Sequence, residues 1–383
     1  MIFLILCIWT TSASAQNHDS NDISIRGYAD AYYSWYSNAN QVALQQHDAI
    51  GAFHNNFGLN IAQVSTAYNG DRIRGVATVH FGDIPLITWQ PKYRNIQEAN
   101  AGIRIFKRFW LDVGFFKTHV GTESFLPKDN LTSIITLATF YGPFYQSGAR
   151  LSYDTDSDWH FELHAINGYN LHIDDNEFKT FGALVSKKWN DRFFTSYSNM
   201  LGQENVGQLQ DGYLVYQNAF IHASLKKWDI QIGGDIALAN EWRTNDGWLS
   251  KPLYNGLVTA KYHLDERFSI AMRGEIFSDA LAINSRRIIP IHAESSSLSY
   301  PSRYNANAGM TIYGGTISLE YKPNDHGFFR IESRTLFDPD ALYTEHPDGF
   351  NAEVVGLNPM LTSRTQVMAT IAFYFEKTFK FAR

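Results

Sequence analysis

The last stretch of the chain alternates residue by residue. Between Leu361 and Phe379, the side chains of Val367, Ala369, Ile371, Phe373 and Phe375 fall on one face, and Gln366, Thr370, Tyr374 and Glu376 on the other. A repeat of two marks a β-strand with one apolar and one wet side. The segment exceeds the usual strand length of about 5–6 residues, so it needs a broad apolar medium to cover it. A bilayer core about 30 Å thick takes roughly 9–11 tilted residues. The pattern therefore predicts the closing strand of a membrane-spanning barrel.

The same alternation recurs upstream. Ile23 to Tyr36 sets Ile25, Gly27, Ala29, Ala31, Tyr33 and Trp35 against Arg26, Tyr28, Asp30 and Tyr32. Phe53 to Tyr68 and Arg72 to Asp83 pair across the Asn69-Gly70-Asp71 turn, a strong hairpin signal. Six further hairpins follow: Ala99 to Phe106 with Phe109 to Lys117, Phe144 to Asp154 with Trp159 to Asn167, Phe178 to Trp189 with Phe193 to Leu201, Tyr213 to Lys226 with Trp228 to Trp242, Leu253 to Leu264 with Phe268 to Phe277, and Asn305 to Lys322 with Phe328 to Phe337. Together with the first and last strands this makes about 16, and tight and long connections alternate strictly. Such asymmetry belongs to outer-membrane barrels, with short periplasmic turns and long extracellular loops. A soluble sandwich or propeller gives no reason for every second connection to be tight. The expected fold is all-β: a single closed antiparallel transmembrane β-barrel spanning residues 16–383.

Tryptophan placement is a separate test. Trp35, Trp110, Trp159, Trp189, Trp228 and Trp242 lie at or near strand ends, and Trp89 and Trp248 in connections. Indole prefers the headgroup level, so interfacial girdles predict this. Charges give another. Arg26, Arg72, Arg74, Arg104, Arg150, Arg273, Arg330, Arg334 and Arg364, with Asp30, Asp112, Glu162, Asp235, Glu275 and Glu332, alternate with apolar neighbours. One charge at the bilayer midplane costs about 2–4 kcal/mol, so this set must face the lumen, which must then be wet. A barrel of this size leaves an aqueous channel.

Composition changes the picture only at the edges. The chain has 383 residues, 18% charged and 15% aromatic, with a net charge of −6 and a mean hydropathy of −0.27. Nothing calls for nucleic acid, and the hydropathy suits a barrel with half of each strand in water. No apolar run reaches the length of a transmembrane helix. The single cysteine, Cys7, lies in the apolar run Ile2 to Trp9, which precedes Ala13-Ser14-Ala15. Residues 1–15 therefore read as a secretory signal peptide, although no Lys or Arg precedes Arg26. The expected mature chain has no thiol for a disulfide or metal site.

Several short runs then stand out in order: Val120-Gly121-Thr122-Glu123, Asp129-Asn130, Tyr141-Gly142-Pro143-Phe144, Gly148-Ala149-Arg150-Leu151-Ser152-Tyr153 and Ile166-Asn167-Gly168. With Gly27-Tyr28-Ala29-Asp30-Ala31-Tyr32-Tyr33 near the start and Tyr374-Phe375-Glu376-Lys377-Thr378-Phe379 near the end, the chain resembles the β-barrel porins of the OmpL-like type. The motif-bearing run covers about 50 residues, and the strand layout extends the likeness over the rest. The resemblance implies a porin of a Gram-negative outer membrane, surrounded by its lipid, with no catalytic residues or cofactor to carry over. The chain departs from the family pattern by continuing past Phe379 through Lys380-Phe381-Ala382-Arg383, which blurs the terminal aromatic read by the barrel-assembly machinery.

His119 to Pro143 is the third long connection, and in general porins a loop at that place folds inward. Glu123, Lys128 and Asp129 would then oppose wall arginines such as Arg72, Arg74 and Arg104, and opposed charges across a constriction orient polar solutes. The other reading lays this loop over the barrel mouth. The expected selectivity residues are Arg72, Arg74, Arg104, Asp112, Arg150, Glu162, Asp235, Arg273, Glu275, Arg330, Glu332 and Arg334 in the wall, with Glu123, Lys128 and Asp129 in the loop. Catalysis or metal binding has one weak candidate, His160, Glu162 and His164 on an inward face. No GxSxG, HExxH or phosphate-binding glycine loop is present. The expected function is passive diffusion of small hydrophilic solutes, by a monomer or a homotrimer. A plugged barrel acting as a receptor or adhesin through Ser278 to Tyr304 and Asp338 to Met360, or a hydrolase, are the alternatives.

Overall fold

The computed structural model describes residues 21–37, 44–45, 47–206, 209–241, 247–248, 251–281, 283–284, 309–339 and 362–381. The expected signal peptide, Trp242 and most of the two proposed adhesive loops lie outside them. The described strands are β1 (Asn21–Tyr36), β2 (Asn56–Asn69), β3 (Ile73–Phe81), β4 (Ile96–Phe106), β5 (Phe109–Lys117), β6 (Tyr145–Asp154), β7 (Trp159–Ile166), β8 (Thr180–Asn190), β9 (Phe193–Val206), β10 (Leu209–Leu225), β11 (Trp228–Glu241), β12 (Gly247–Trp248), β13 (Leu253–His263), β14 (Phe268–Asp279), β15 (Met310–Asn324), β16 (Gly327–Phe337) and β17 (Ser363–Phe381).

Each long strand pairs antiparallel with its neighbours, and β1 pairs with both β2 and β17, so the sheet closes. Two-residue β12 only flanks the end of β11, which leaves sixteen spanning strands in a closed antiparallel barrel. Closure is in register over the whole of β1, from Asn21 opposite Phe381 to Tyr36 opposite Gln366. One difference from the sequence expectation is at β9 and β10, which run on to Val206 and from Leu209. Of the residues between Leu201 and Tyr213, expected as a loop, 202–206 and 209–212 are strand.

The alternation sorts as the cost of charge in lipid demands. Val64, Ile103, Leu163 and Ile371 are 53%, 55%, 60% and 64% exposed, the outward side that acyl chains cover. Their strand neighbours Ser65, Gly102, Glu162 and Thr370 are buried. Trp35, Trp189 and Trp228 are exposed near strand ends, as girdle residues should be. Trp110 and Trp89 are corrections to that expectation: both are buried inside the barrel.

The interior also departs from expectation, because its loop-side half is packed rather than wet. Leu44, Ile50, Ile84, Trp89, Phe125, Ile135, Phe140, Tyr141 and Tyr169 come from the four connections after β1, β3, β5 and β7. They join wall residues such as Met200, Tyr216, Phe277, Ile312 and Met368 in one buried apolar cluster. Period-2 reading assigns wall faces but says nothing about side chains that loops carry inward.

Candidate pore constriction

The connection after β5, residues 118–144, runs around the inside of the barrel, and each stage of its course has a partner on the wall. His119 donates from Nε2 to the Asn199 carbonyl at 2.9 Å, and its Nδ1 lies 2.8 Å from the Gln146 side-chain amide. Asn218 donates to the Thr122 hydroxyl at 3.0 Å, and Gln231 to its carbonyl at 2.8 Å. Mid-strand glycines make room here. A methyl at Gly182 would overlap the His119 ring, and one at Gly233 the Thr122 side chain. An inward glycine in a strand interior marks such a close approach, and this signal could have located the path of the loop from sequence.

The far wall then seats the loop through ionised groups. Arg273 Nη1 donates to Glu123 at 3.0 Å, to the Thr132 hydroxyl at 2.9 Å and to the Ile134 carbonyl at 2.6 Å. The Glu332 carboxylate accepts from the Ser133 N–H at 2.8 Å and the Ile134 N–H at 2.9 Å. Glu275 accepts from the Leu137 N–H at 2.8 Å. Arg330 donates to the carbonyls of Pro127 and Asn130 at 3.0 and 3.1 Å, and Arg334 to that of Ile135 at 2.9 Å. Irregular backbone inside a barrel needs such partners, since a buried backbone group left unpaired costs about 1–3 kcal/mol. Helix α1 (Asp83–Thr88), between β3 and β4, and helix α2 (Leu137–Tyr141), at the end of the loop, complete the packing. Tyr141 stacks on Phe277 with ring centroids 5.2 Å apart, and Trp89 on Tyr145 at 4.9 Å.

The neighbouring connections add to the seat. Asp48, between β1 and β2, accepts from Arg364 at 2.6 Å and from Arg334. Asp83 accepts from the Tyr32 hydroxyl at 2.6 Å, and burial pushes its carboxyl up to about 6. A carboxyl raised on folding adds stability that is complete below its ordinary value near 4 and is lost as the pH rises through about 6. Asp83→Asn is therefore expected to flatten the pH dependence of the urea midpoint between about pH 4 and 6. An unchanged slope in that window would remove Asp83 as its source.

The expected selectivity residues of the wall fall into two clusters, with Asp235 and Arg72 apart from both. Arg273, Glu275, Arg330, Glu332 and Arg334 point inward and are buried under the loop they hold. Asp235 is buried between Asn218 and Asn255, at 2.6 and 2.5 Å. Arg74, Arg104, Asp112, Arg150 and Glu162 form a second cluster on β3 to β7. Arg74 and Arg150 share Asp112 at 2.5 and 3.2 Å, Arg150 lies 3.5 Å from Glu162, and Arg74 and Arg104 both sit over the Trp110 ring. A methyl at Gly102 would overlap the Asp112 carboxylate, so that glycine opens the path across β4. Arg72 lies in the β2–β3 turn and is exposed, away from both clusters.

The expected opposition within the loop is also different. Glu123 meets Arg273 rather than Arg72, Arg74 or Arg104, and Lys128 pairs with its neighbour Asp129 at 2.5 Å. His160 and His164 each lie within 3.1 Å of Glu162. The residues considered for catalysis are engaged with one another, and among the described residues no group of His, Cys, Asp and Glu is spaced to hold a metal ion.

A cavity of about 650 Å³ remains between the loop and the wall made by β1 to β6 and β17. Its lining runs from the short-turn rim, at Asp71, Asp325 and Glu376, past Arg74, Arg150 and Lys128 to Phe125 and Phe144.

A family model described as "Putative beta-barrel porin-2, OmpL-like" matches residues 22–375. The chain belongs to this family. No protein of curated function matches it by sequence. Solved outer-membrane structures share its fold at low identity. An anion-selective porin from Comamonas acidovorans is similar with a TM-score of 0.59 and 9% identity, over 92% of this chain and 99% of that one. OmpT of Vibrio cholerae, in a trimer form, gives 0.56 and 11% over 93% and 100%. The channel DcaP of Acinetobacter baumannii gives 0.53 and 10% over 94% and 99%. This OmpL-like porin is thus an outer-membrane β-barrel whose third long loop lies inside the lumen.

Proposed function

We propose that this porin passes small hydrophilic solutes across the outer membrane by passive diffusion, without catalysis, through the space left between the inward loop and the charged wall. The observation that carries this reading is the cavity, lined by charged as well as apolar side chains, that reaches from the short-turn rim to the loop in a chain of the porin family. Residues 1–15 would direct export, and the trimeric form of the Vibrio protein supports a homotrimer. The selectivity residues on this reading are those that face the cavity, Arg74, Arg104, Arg150, Lys128 and Asp129, rather than the buried set under the loop.

Planar-bilayer recording of the refolded protein tests it. Steps of small conductance are expected, because packed loops narrow a lumen that sixteen strands would otherwise leave wide. A second reading, a plugged barrel that binds without conducting, is favoured by the apolar cluster in the loop-side half. Membranes that stay silent with correctly folded protein would select it over the channel.

A further inference from the structure

We propose that the cavity contains an oxyanion clamp, built from Arg74 and Arg150, that takes the carboxylate or phosphate group of a small solute arriving from the short-turn rim. This deepens the channel reading and rests on it only for the solute's passage, not for its binding. At the centre of the clamp lies Asp112, whose side chain is 1% exposed. It takes Arg74 through Nε at 2.7 Å and Nη2 at 2.5 Å, and Arg150 through Nη2 at 3.2 Å. Arg74 Nη2 donates again to the Ser152 hydroxyl at 2.9 Å. Two guanidiniums are thereby fixed on one carboxylate, and a guanidinium carries five N–H donors in a rigid fork. Arg74 Nη1 makes no hydrogen bond among the described residues, and Arg150 Nη1 has only the 3.5 Å approach of Glu162. Both side chains line the cavity and are partly open to it, at 13% and 15% exposure.

The nearby acids do not use up this surplus. Asp129 is matched by Lys128 at 2.5 Å, Glu98 by Lys117 at 3.6 Å, and Asp154 by His160 at 2.7 Å. Glu162 is divided among Arg150, His160 and His164. Arg74 also rests over the Trp110 ring at 4.6 Å, and Arg150 over Phe116 at 5.3 Å. These contacts hold each fork at a set angle without consuming its donors. Two preorganised guanidiniums beside an open space, each with its Nη1 donors to offer, form an arrangement that binds oxyanions through charge-assisted hydrogen bonds.

Calorimetric titration of the refolded protein in detergent tests the clamp independently of conduction, with succinate and inorganic phosphate as probes and sucrose as the neutral control. Succinate or phosphate is expected to bind at one site, sucrose not, and each of Arg74→Gln and Arg150→Gln to weaken binding by about tenfold or more, the loss of roughly one charge-assisted bond. The better of the two anions identifies the source of the oxyanion. Should a glutamine variant fail to fold, Arg74→Lys keeps the charge but loses the fork, and is expected to weaken binding as well. Absence of anion binding in the wild type, or equal affinity in folded Arg74 and Arg150 variants, would overturn the proposal. Anion binding by a protein that stays silent in bilayers would keep the clamp and sink the channel.

Discussion

Replacing residues 124–135 by a short Gly-Ser link is expected to raise the single-channel conductance several-fold. Current through a pore follows its narrowest section, and this segment holds the loop against the far wall. Its Ser133, Ile134 and Ile135 backbone groups meet Glu332, Arg273 and Arg334, so removing it retracts the constriction instead of leaving a detached strand of chain in the lumen. The barrel itself should persist, because its sixteen long strands are held by continuous ladders that do not include the loop. Folding can be checked by the usual heat-dependent gel shift of barrels. An unchanged conductance in a correctly folded deletion would mean that ions do not pass by this loop. A milder form is Glu332→Gln, which keeps an acceptor for only part of the pairing and should give intermediate, noisier openings.

The second large effect concerns Asp48. It is buried, and both Arg334 and Arg364 donate to it. Asp48→Ala removes the carboxylate that two buried guanidiniums share, and breaking a buried pair from one side costs about 3–5 kcal/mol. The loss should appear as a lower urea midpoint in detergent, with Asp48→Asn in between because the amide oxygen still accepts one hydrogen bond. Because Asp48 sits in the first loop and Arg334 also holds the third, the two loops should loosen together. A destabilisation below about 1 kcal/mol would show that other contacts carry the junction, the level typical of exposed pairs.

The wall of this barrel was legible because lipid enforces a strict rule on it. The last strand exposes Val367, Ile371 and Phe373 and buries Gln366 and Thr370, just as its alternation requires, since one charge on the wrong face costs several kcal/mol. The inward course of the third loop was legible only as a position in the order of connections. Its partners were not, because period two fixes which face a residue takes and not where around the cylinder its strand stands. Glu123 and Arg273 are 150 positions apart and Ser133 and Glu332 are 199 apart, and no local pattern links them. Trp110 misled for a related reason. Its place near a strand end suits a headgroup girdle, yet its parity with Asp112 sets it inside, beneath Arg74 and Arg104. The packed half of the lumen was hidden because apolar residues in connections look the same whether they reach outward or inward.

The long reach of those loop contacts bears on the order in which the molecule is made. The groups that seat residues 123–137 belong to β14 and β16, the thirteenth and fifteenth of the sixteen long strands to be synthesised. This part of the loop therefore cannot take its place until the cylinder is almost finished. Seating of the loop thus belongs to the last steps of assembly, after the strands that carry its partners have joined the wall.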